Sequence, residues 1–142
     1  MPLNIVADQS NNLPSITDAI HDCWFDKEDI VFHKDSSILE IKFDREVPEN
    51  RKILKNFLLL KEVQIPVIEC ILRIYHIKTC QITDTEKVGR YDFNKLEYDP
   101  NRSQICVRTG VPIDIKVTVN GLRIAVEETG RKLEDKVTWV FF

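Results

Sequence analysis

Apolar and polar residues alternate over much of this chain, which is the pattern of half-buried β-strands. Every second residue from Ile113 to Val119 is Ile or Val, and the alternation resumes from Leu122 to Val126. Between the two runs stands Asn120-Gly121, a dipeptide favoured in type I′ turns. We therefore predict a two-residue hairpin in which Val119 pairs with Leu122 and the aliphatic side chains of both strands share one buried face.

The same period of two predicts two further pairs of strands upstream. Ile30–Phe32 and Ile38–Phe43 predict a hairpin that is joined by a polar turn. Leu96–Tyr98 and Ile105–Val107 predict a second pair, because the residues between them have turn chemistry throughout.

Two other segments are less regular. Lys52–Val63 fits either a helix or a strand, and we favour a strand because its neighbours are strands. Val67–Thr83 is the longest apolar stretch, and it begins apolar on both faces, which is typical of a central strand. It exceeds the usual strand length, so we expect a bulge or bend near His76–Thr79. A charged loop is expected at Asp84–Asn94.

The two ends of the chain differ from this pattern. Residues 1–14 are predicted to be a partly loose segment, followed by a short helix over Ser15–Asp22. Ser15 is the expected N-cap, and Asp18 places negative charge in the first turn. Val137–Phe142 is too apolar to hang free in water, so we expect a final strand or an association element there.

Composition agrees with the strand-rich pattern. The chain has 142 residues, of which 17 are Ile and 13 are Val, against three Ala. β-branched residues suit a pleated sheet, whereas Ala is the best helix former. The predicted fold is therefore mainly β or α+β: an antiparallel sheet or β-sandwich with one short N-terminal helix. Residues 15–142 are expected to form a single domain.

Net charge narrows the classes of partner. The chain carries a formal charge of −3 and has no basic stripe, which argues against binding nucleic acid or an anionic membrane. No apolar run approaches the ~20 residues that span a bilayer. The four cysteines form no C-x-x-C pair. With no cationic leader at the N-terminus, these features predict a cytoplasmic protein.

Several short sequences resemble a known family. Asp22-Cys-Trp-Phe-Asp26, Asp29-Ile-Val-Phe32, Leu72-Arg-Ile-Tyr75, Ile82-Thr-Asp-Thr-Glu86 and Tyr91-Asp-Phe93 are similar to motifs of a family of small uncharacterised bacterial domains. The resemblance covers roughly residues 20 to 126 and leaves both tails out. The family has no known activity, so the resemblance implies β-rich architecture and no particular chemistry.

His21-Asp22-Cys23 places an imidazole, a carboxylate and a thiol side by side. Neighbouring residues of a helix point in different directions, so this triplet cannot form a catalytic triad by itself. We expect Cys23 and Trp24 to anchor the helix to the sheet, with His21 and Asp22 facing solvent. His76 and Cys80 share a strand face but lie about 13 Å apart, too far for one ion. No metal and no cofactor is expected.

Two functional hypotheses follow, each with its own residues. An enzyme would have to assemble a site from His21, Cys23, His76 and Asp84, which are distant in sequence. A recognition surface would instead use the loop that ends in Arg90, Tyr91 and Asp92, because loops with Gly, Arg and Tyr often contact partners.

The sequence contains no glycine-rich phosphate loop, dinucleotide-binding fingerprint, Gly-x-Ser-x-Gly elbow or His-Glu-x-x-His motif. We therefore expect a non-enzymatic module that binds protein through its loops or a sheet edge. The partner could be a second copy that associates through Trp139–Phe142. The alternative is a small hydrolase or transferase, and a weaker alternative is an immunity-type inhibitor.

Overall fold

The computed structural model of the chain describes residues 3–141. Within those residues the chain forms thirteen β-strands and one α-helix, which confirms the predicted mainly β fold with a short N-terminal helix. The elements are β1 Asn4–Ala7, α1 Leu13–Ile20, β2 Trp24–Asp26, β3 Ile30–His33, β4 Ile38–Glu46, β5 Lys52–Phe57, β6 Leu60–Ile65, β7 Val67–Ile74, β8 Ile77–Thr83, β9 Arg90–Asp99, β10 Gln104–Thr109, β11 Asp114–Val119, β12 Ile124–Lys132 and β13 Lys136–Phe141.

Ten of the strands form one antiparallel sheet in the order β1-β12-β7-β4-β2-β9-β10-β11-β8, with β3 also paired to β4. Strands β4, β7 and β12 from one half of the sheet and β9, β10 and β11 from the other half supply side chains to a single apolar core. The sheet is therefore folded over as a sandwich. Ile16 and Ile20 of α1 are fully buried in the same core.

The remaining three strands form a second, smaller sheet in the order β13-β6-β5. Strand β6 continues into β7 after Pro66, and β12 leads into β13, so the small sheet extends two strands of the sandwich. The ambiguous segment Lys52–Val63 is confirmed as strand, with a turn at Leu58 that adopts a left-handed φ of 53°.

The predicted hairpin around Asn120-Gly121 is wrong. Strand β11 pairs with β10 and β8, whereas β12 pairs with β7 and β1, so the two strands never meet as a ladder. The backbone N–H of Asn120 instead donates to the carbonyl of His76 at 2.8 Å. Apart from Leu122, which is only partly buried, the alternating residues are buried as predicted because β11 and β12 face the same core from different halves of the sheet.

Two other predicted boundaries also need correction. Val67–Thr83 is not one bent strand but two, because His76 adopts a left-handed φ of 59° and sends β8 to the far end of the sheet. The predicted loop Asp84–Asn94 ends early, since β9 begins at Arg90 and pairs there with Asp26 of β2.

The helix lies two residues earlier than predicted. Ser15 is not its N-cap, because the helix begins at Leu13. Pro14 lies in the first turn, where backbone N–H groups have no partner within the helix, so the missing N–H of proline costs no hydrogen bond. The helix ends before Asp22, which has a left-handed φ of 64°. The N-terminal segment expected to be loose is partly ordered, because β1 pairs with β12 and buries Ala7.

Candidate functional site

The small sheet carries an unusual concentration of exposed apolar side chains. Of the fourteen large hydrophobic residues that are exposed within residues 3–141, nine lie on this sheet or its turn. Those nine are Ile53, Leu54, Phe57, Leu58, Leu59, Val137, Trp139, Val140 and Phe141. The sandwich, by contrast, buries most of its large apolar residues, so exposed apolar surface is concentrated on the small sheet.

Strand register aligns three of the exposed apolar side chains of β13 on one face of this sheet. Val137, Trp139 and Phe141 alternate along β13 and therefore share a face, and we call these three residues the apolar column. The neighbouring positions on β6 become more polar, with Glu62 beside Trp139 and Gln64 beside Val137. On this face, exposed apolar side chains are therefore most frequent along β13.

The two edges of the small sheet are protected to different degrees. The β5 edge carries two lysines, Lys52 and Lys55, and its ladder is interrupted by a bulge at Leu54. Charged residues and bulges are the features by which proteins prevent edge pairing. Strand β13 has only Lys136, at its start, and pairs with β6 without a register shift. Within residues 3–141 no strand pairs with its outer edge.

The base of the small sheet is firmly attached to the sandwich. Lys136 forms an ion pair with Glu46 at 3.0 Å, and the Gln64 side chain donates to Asp135 at 2.7 Å. Val63, at the centre of the sheet, is only 1% exposed on the face opposite the apolar column. The apolar column therefore lies on an ordered strand that is held in place by contacts with the rest of the fold.

A cleft of about 780 Å³ lies between α1, the end of β4 and the β12–β13 connection. It brings together two of the four predicted catalytic candidates, His21 and Cys23. Trp24, Arg45 and Arg90 also line it. The cleft is the place where an enzymatic site would have to be if these candidates were catalytic.

The Cys23 thiol is poorly suited to nucleophilic catalysis. Its Sγ lies 3.7 Å from the carbonyl oxygen of Ala19, and the residue is 9% exposed. Burial raises the pKa of the Cys23 thiol to about 11, although nearby Arg45 partly offsets that effect. A thiol with such a pKa is almost entirely protonated at neutral pH, and the thiolate is the reactive form. Cys23 instead packs in the core, as predicted, whereas Trp24, which was predicted to anchor the helix with it, is 38% exposed.

His21 is engaged with the backbone and with its neighbour. Its Nδ1 donates to the carbonyl oxygen of Asn94 at 3.1 Å, and its Nε2 lies 3.6 Å from the Asp22 carboxylate. The structure shows no hydrogen bond between His21 and Cys23 in the described part of the chain. The base and thiol of the sequence triplet are therefore not coupled.

The other two catalytic candidates lie away from the cleft. His76 precedes β8 and Asp84 follows it, so the length of the seven-residue strand, roughly 20 Å, separates them. Asp84 accepts a hydrogen bond from the hydroxyl of Tyr91 at 2.5 Å. The four candidates do not assemble at one place. Among residues 3–141 no group of three or more His, Cys, Asp or Glu side chains could hold a metal ion.

The three predicted recognition residues are engaged in internal contacts. Tyr91 is fully buried against Phe25. Asp92 accepts a hydrogen bond from the backbone N–H of Val111 at 2.7 Å. Each therefore supports the loops around it and is not presented as free surface.

Arg90, the third of these residues, joins three strands. Its guanidinium donates to Asp26 and to Asp44, each at 2.8 Å, and lies 5.9 Å above the ring of Trp24. The hydrogen bond to Asp44 raises the pKa of Arg90, so its charge is fixed. Its two carboxylate partners already neutralise this side of the cleft.

A polar network on the sandwich was not predicted from the sequence. Glu40 accepts hydrogen bonds from Arg73, at 2.6 Å, and from His33, and Arg73 also contacts Glu127. Burial alone would raise the pKa of Glu40, but the bonds from Arg73 and His33 outweigh it and hold the pKa below its ordinary value. The residues come from four strands, so no sequence spacing could have indicated the network.

The described residues include no helix long and apolar enough to cross a membrane. Comparison with protein-family models gave no match, and neither the curated proteins nor the solved structures include one with significant similarity to this chain. The resemblance to small bacterial domains therefore stays a prediction.

Proposed function

We propose that this chain is a non-enzymatic module that binds protein through the free edge of β13. The observation that carries this proposal is the contrast between the two edges of the small sheet. The β5 edge has lysines and a bulge, whereas the β13 edge has an ordered apolar strand with no interruption.

Strand addition is the mode of binding that such an edge supports. A partner strand would hydrogen-bond to the outward-facing backbone groups of β13, which supplies affinity. Its alternate side chains would lie beside the apolar column, which supplies selectivity. Trp139 stands near the centre of β13 and is 49% exposed, so it offers a large apolar side chain to an incoming chain.

The hydrolase or transferase alternative has less support. The cleft holds His21 and Cys23, but the thiol is protonated and the two side chains are not coupled. An immunity-type inhibitor would be one particular form of a protein-binding module, and the β13 edge suits it equally. The buried free thiols of Cys23 and Cys70 suit the reducing cytoplasm that we propose as its location.

Affinity capture with the tagged full chain tests the proposal. The comparison is between the natural chain, Trp139→Lys, and the control Val31→Lys, which places the same charge at a residue of similar exposure on the sandwich. We expect a protein that the natural chain and Val31→Lys retain and Trp139→Lys loses. The interaction must then be reproduced with purified components. If no retained protein depends on Trp139, the proposal is overturned.

A further inference from the structure

We infer that the partner of β13 is a second copy of the same chain, paired antiparallel to it about a two-fold axis through Trp139. This inference rests on the proposed function, because it names the occupant of the same edge. Three features of the small sheet carry it: the symmetry that edge pairing requires, the register of the apolar residues, and the protection of the opposite edge.

Symmetry restricts the ways in which two β13 strands can pair. A two-fold axis that sets two copies of one strand edge to edge and antiparallel must be perpendicular to the sheet. Such an axis keeps each face of the sheet on the same side, so the apolar column of one copy continues on the same face as the column of the other. Residues that oppose each other must then have side chains on the same face.

The sequence of β13 selects one register among those that symmetry allows. An axis through Trp139 places Val137 opposite Phe141 and Thr138 opposite Val140. Within Val137–Phe141 it pairs only uncharged residues. An axis through Thr138 would instead place Lys136 opposite Val140, which sets a charge against an apolar side chain. An axis through Val140 would pair only the three residues Trp139–Phe141 within β13, whereas the Trp139 axis pairs five. The Trp139 axis is therefore the favoured one.

This pairing covers the unprotected β13 edge of the monomer and brings the two apolar columns together. The two columns become neighbours in the middle of a six-stranded sheet with the order β5-β6-β13-β13-β6-β5, and the two Trp139 side chains meet across the axis. The outer strands of that sheet are the two β5 strands, with Lys52, Lys55 and the bulge at Leu54. Because those edges resist further pairing, the assembly closes as a dimer and does not grow into a fibre.

The contact is small for a stable complex. Five paired residues on each strand bury less surface than the ~1,200–2,000 Å² of standard protein complexes, and such small interfaces are typical of weak association. We therefore expect a dimer that dissociates on dilution. Sedimentation velocity of the full chain from about 5 µM to about 500 µM covers the expected transition.

Two substitutions of matched character test the edge. Trp139→Lys puts two positive charges on the axis and is expected to remain a monomer over the whole concentration range. Phe57→Lys is the control, because Phe57 is an exposed aromatic residue on the same face of the same sheet but at the β5 edge. It is expected to dimerise like the natural chain. Thermal unfolding of both variants reports whether the sandwich is intact.

Complementary charges at the axis test the register. Trp139→Glu alone is expected to be monomeric, and an equimolar mixture of Trp139→Glu and Trp139→Lys is expected to form a heterodimer. Opposite charges restore the dimer only if residue 139 of one copy lies opposite residue 139 of the other. A misfolded variant would not form a heterodimer in this mixture. A mixture that stays monomeric overturns the Trp139 axis.

The result that overturns the self-association is a natural chain that stays monomeric at every concentration. Such a chain could still capture a different protein in a Trp139-dependent way, and the proposed function would then stand without this inference. Dimers that persist in Trp139→Lys and dissociate in Phe57→Lys would assign the interface to β5 and overturn both the inference and the edge argument.

Discussion

The hydroxyl of Tyr91 donates a hydrogen bond to the Asp84 carboxylate at 2.5 Å, in a site where the tyrosine is fully buried. The same hydroxyl accepts a hydrogen bond from the backbone N–H of Gly89 at 3.0 Å. The sequence predicted Tyr91 as a recognition residue and Asp84 as a catalytic candidate. In the structure the two side chains are hydrogen-bonded to each other, and together they hold the loop before β9 in place.

Tyr91→Phe should therefore destabilise the fold. The substitution leaves the Gly89 N–H and the Asp84 carboxylate without this partner, so the free energy of unfolding should fall. Urea unfolding should show the loss as a lower midpoint with an unchanged slope. Tyr98→Phe is the control, because Tyr98 is partly exposed, and it should change the midpoint little. Equal midpoints for the two variants would show that the Tyr91 hydroxyl has no structural role.

Gly110 and Asp92 should be energetically coupled. A Cβ at Gly110 would lie 2.5 Å from a carboxylate oxygen of Asp92, so Gly110→Ala must displace the carboxylate that binds the Val111 N–H. We expect each of Gly110→Ala and Asp92→Ala to cost about 1–3 kcal/mol. The double variant should cost no more than the worse single variant. Fully additive costs in a double-mutant cycle would contradict this coupling.

The Glu40 network should make stability depend on acid pH. The folded-state pKa of Glu40 lies below its ordinary value of 4.5, so its contribution is present above that value and is lost as pH falls through the folded pKa. Glu40→Gln should cost about 1 kcal/mol at neutral pH, and that cost should shrink at lower pH. Unfolding midpoints across the acid range measure it, with the exposed Glu86→Gln as control. A cost that is constant with pH would argue against the network.

The four thiols should differ in reactivity. Cys23 and Cys70 are buried, and burial raises their pKa values to about 11 and about 12. Cys80 and Cys106 are partly exposed, so an alkylating reagent at neutral pH should modify them first. Peptide mass spectrometry after timed alkylation gives the order. Fast modification of Cys23 would reopen the enzymatic alternative.

Periodicity along the chain identified most strands but not their neighbours. The runs Ile113–Val119 and Leu122–Val126 alternate because each strand covers a core, and alternation is the same whichever strand lies beside it. The Asn120-Gly121 dipeptide favours a tight hairpin locally, yet pairing of β11 with β8 and of β12 with β7 satisfies many more backbone groups. Tertiary structure therefore overrides the turn signal.

The candidate site could be predicted only in part. The apolar tail at Val137–Phe142 indicated an association element, and residues up to Phe141 form the final strand, while Phe142 lies outside the described residues. The exposure of Phe57 and Leu58 could not be predicted, because apolar residues in a strand are usually buried. The contrast between a protected β5 edge and an open β13 edge appears only when the sheet order is known.

Amide hydrogen exchange at β13, measured as a function of protein concentration, is the most direct test of pairing between two β13 edges. Outward-facing N–H groups of an unpaired edge exchange quickly, and strand pairing protects them. If β13 pairs with a second copy, peptides covering residues 137–141 gain protection as protein concentration rises. The protection of peptides covering the β5 edge at residues 52–57 does not change. Exchange at residues 137–141 that is equally fast at every concentration would contradict it.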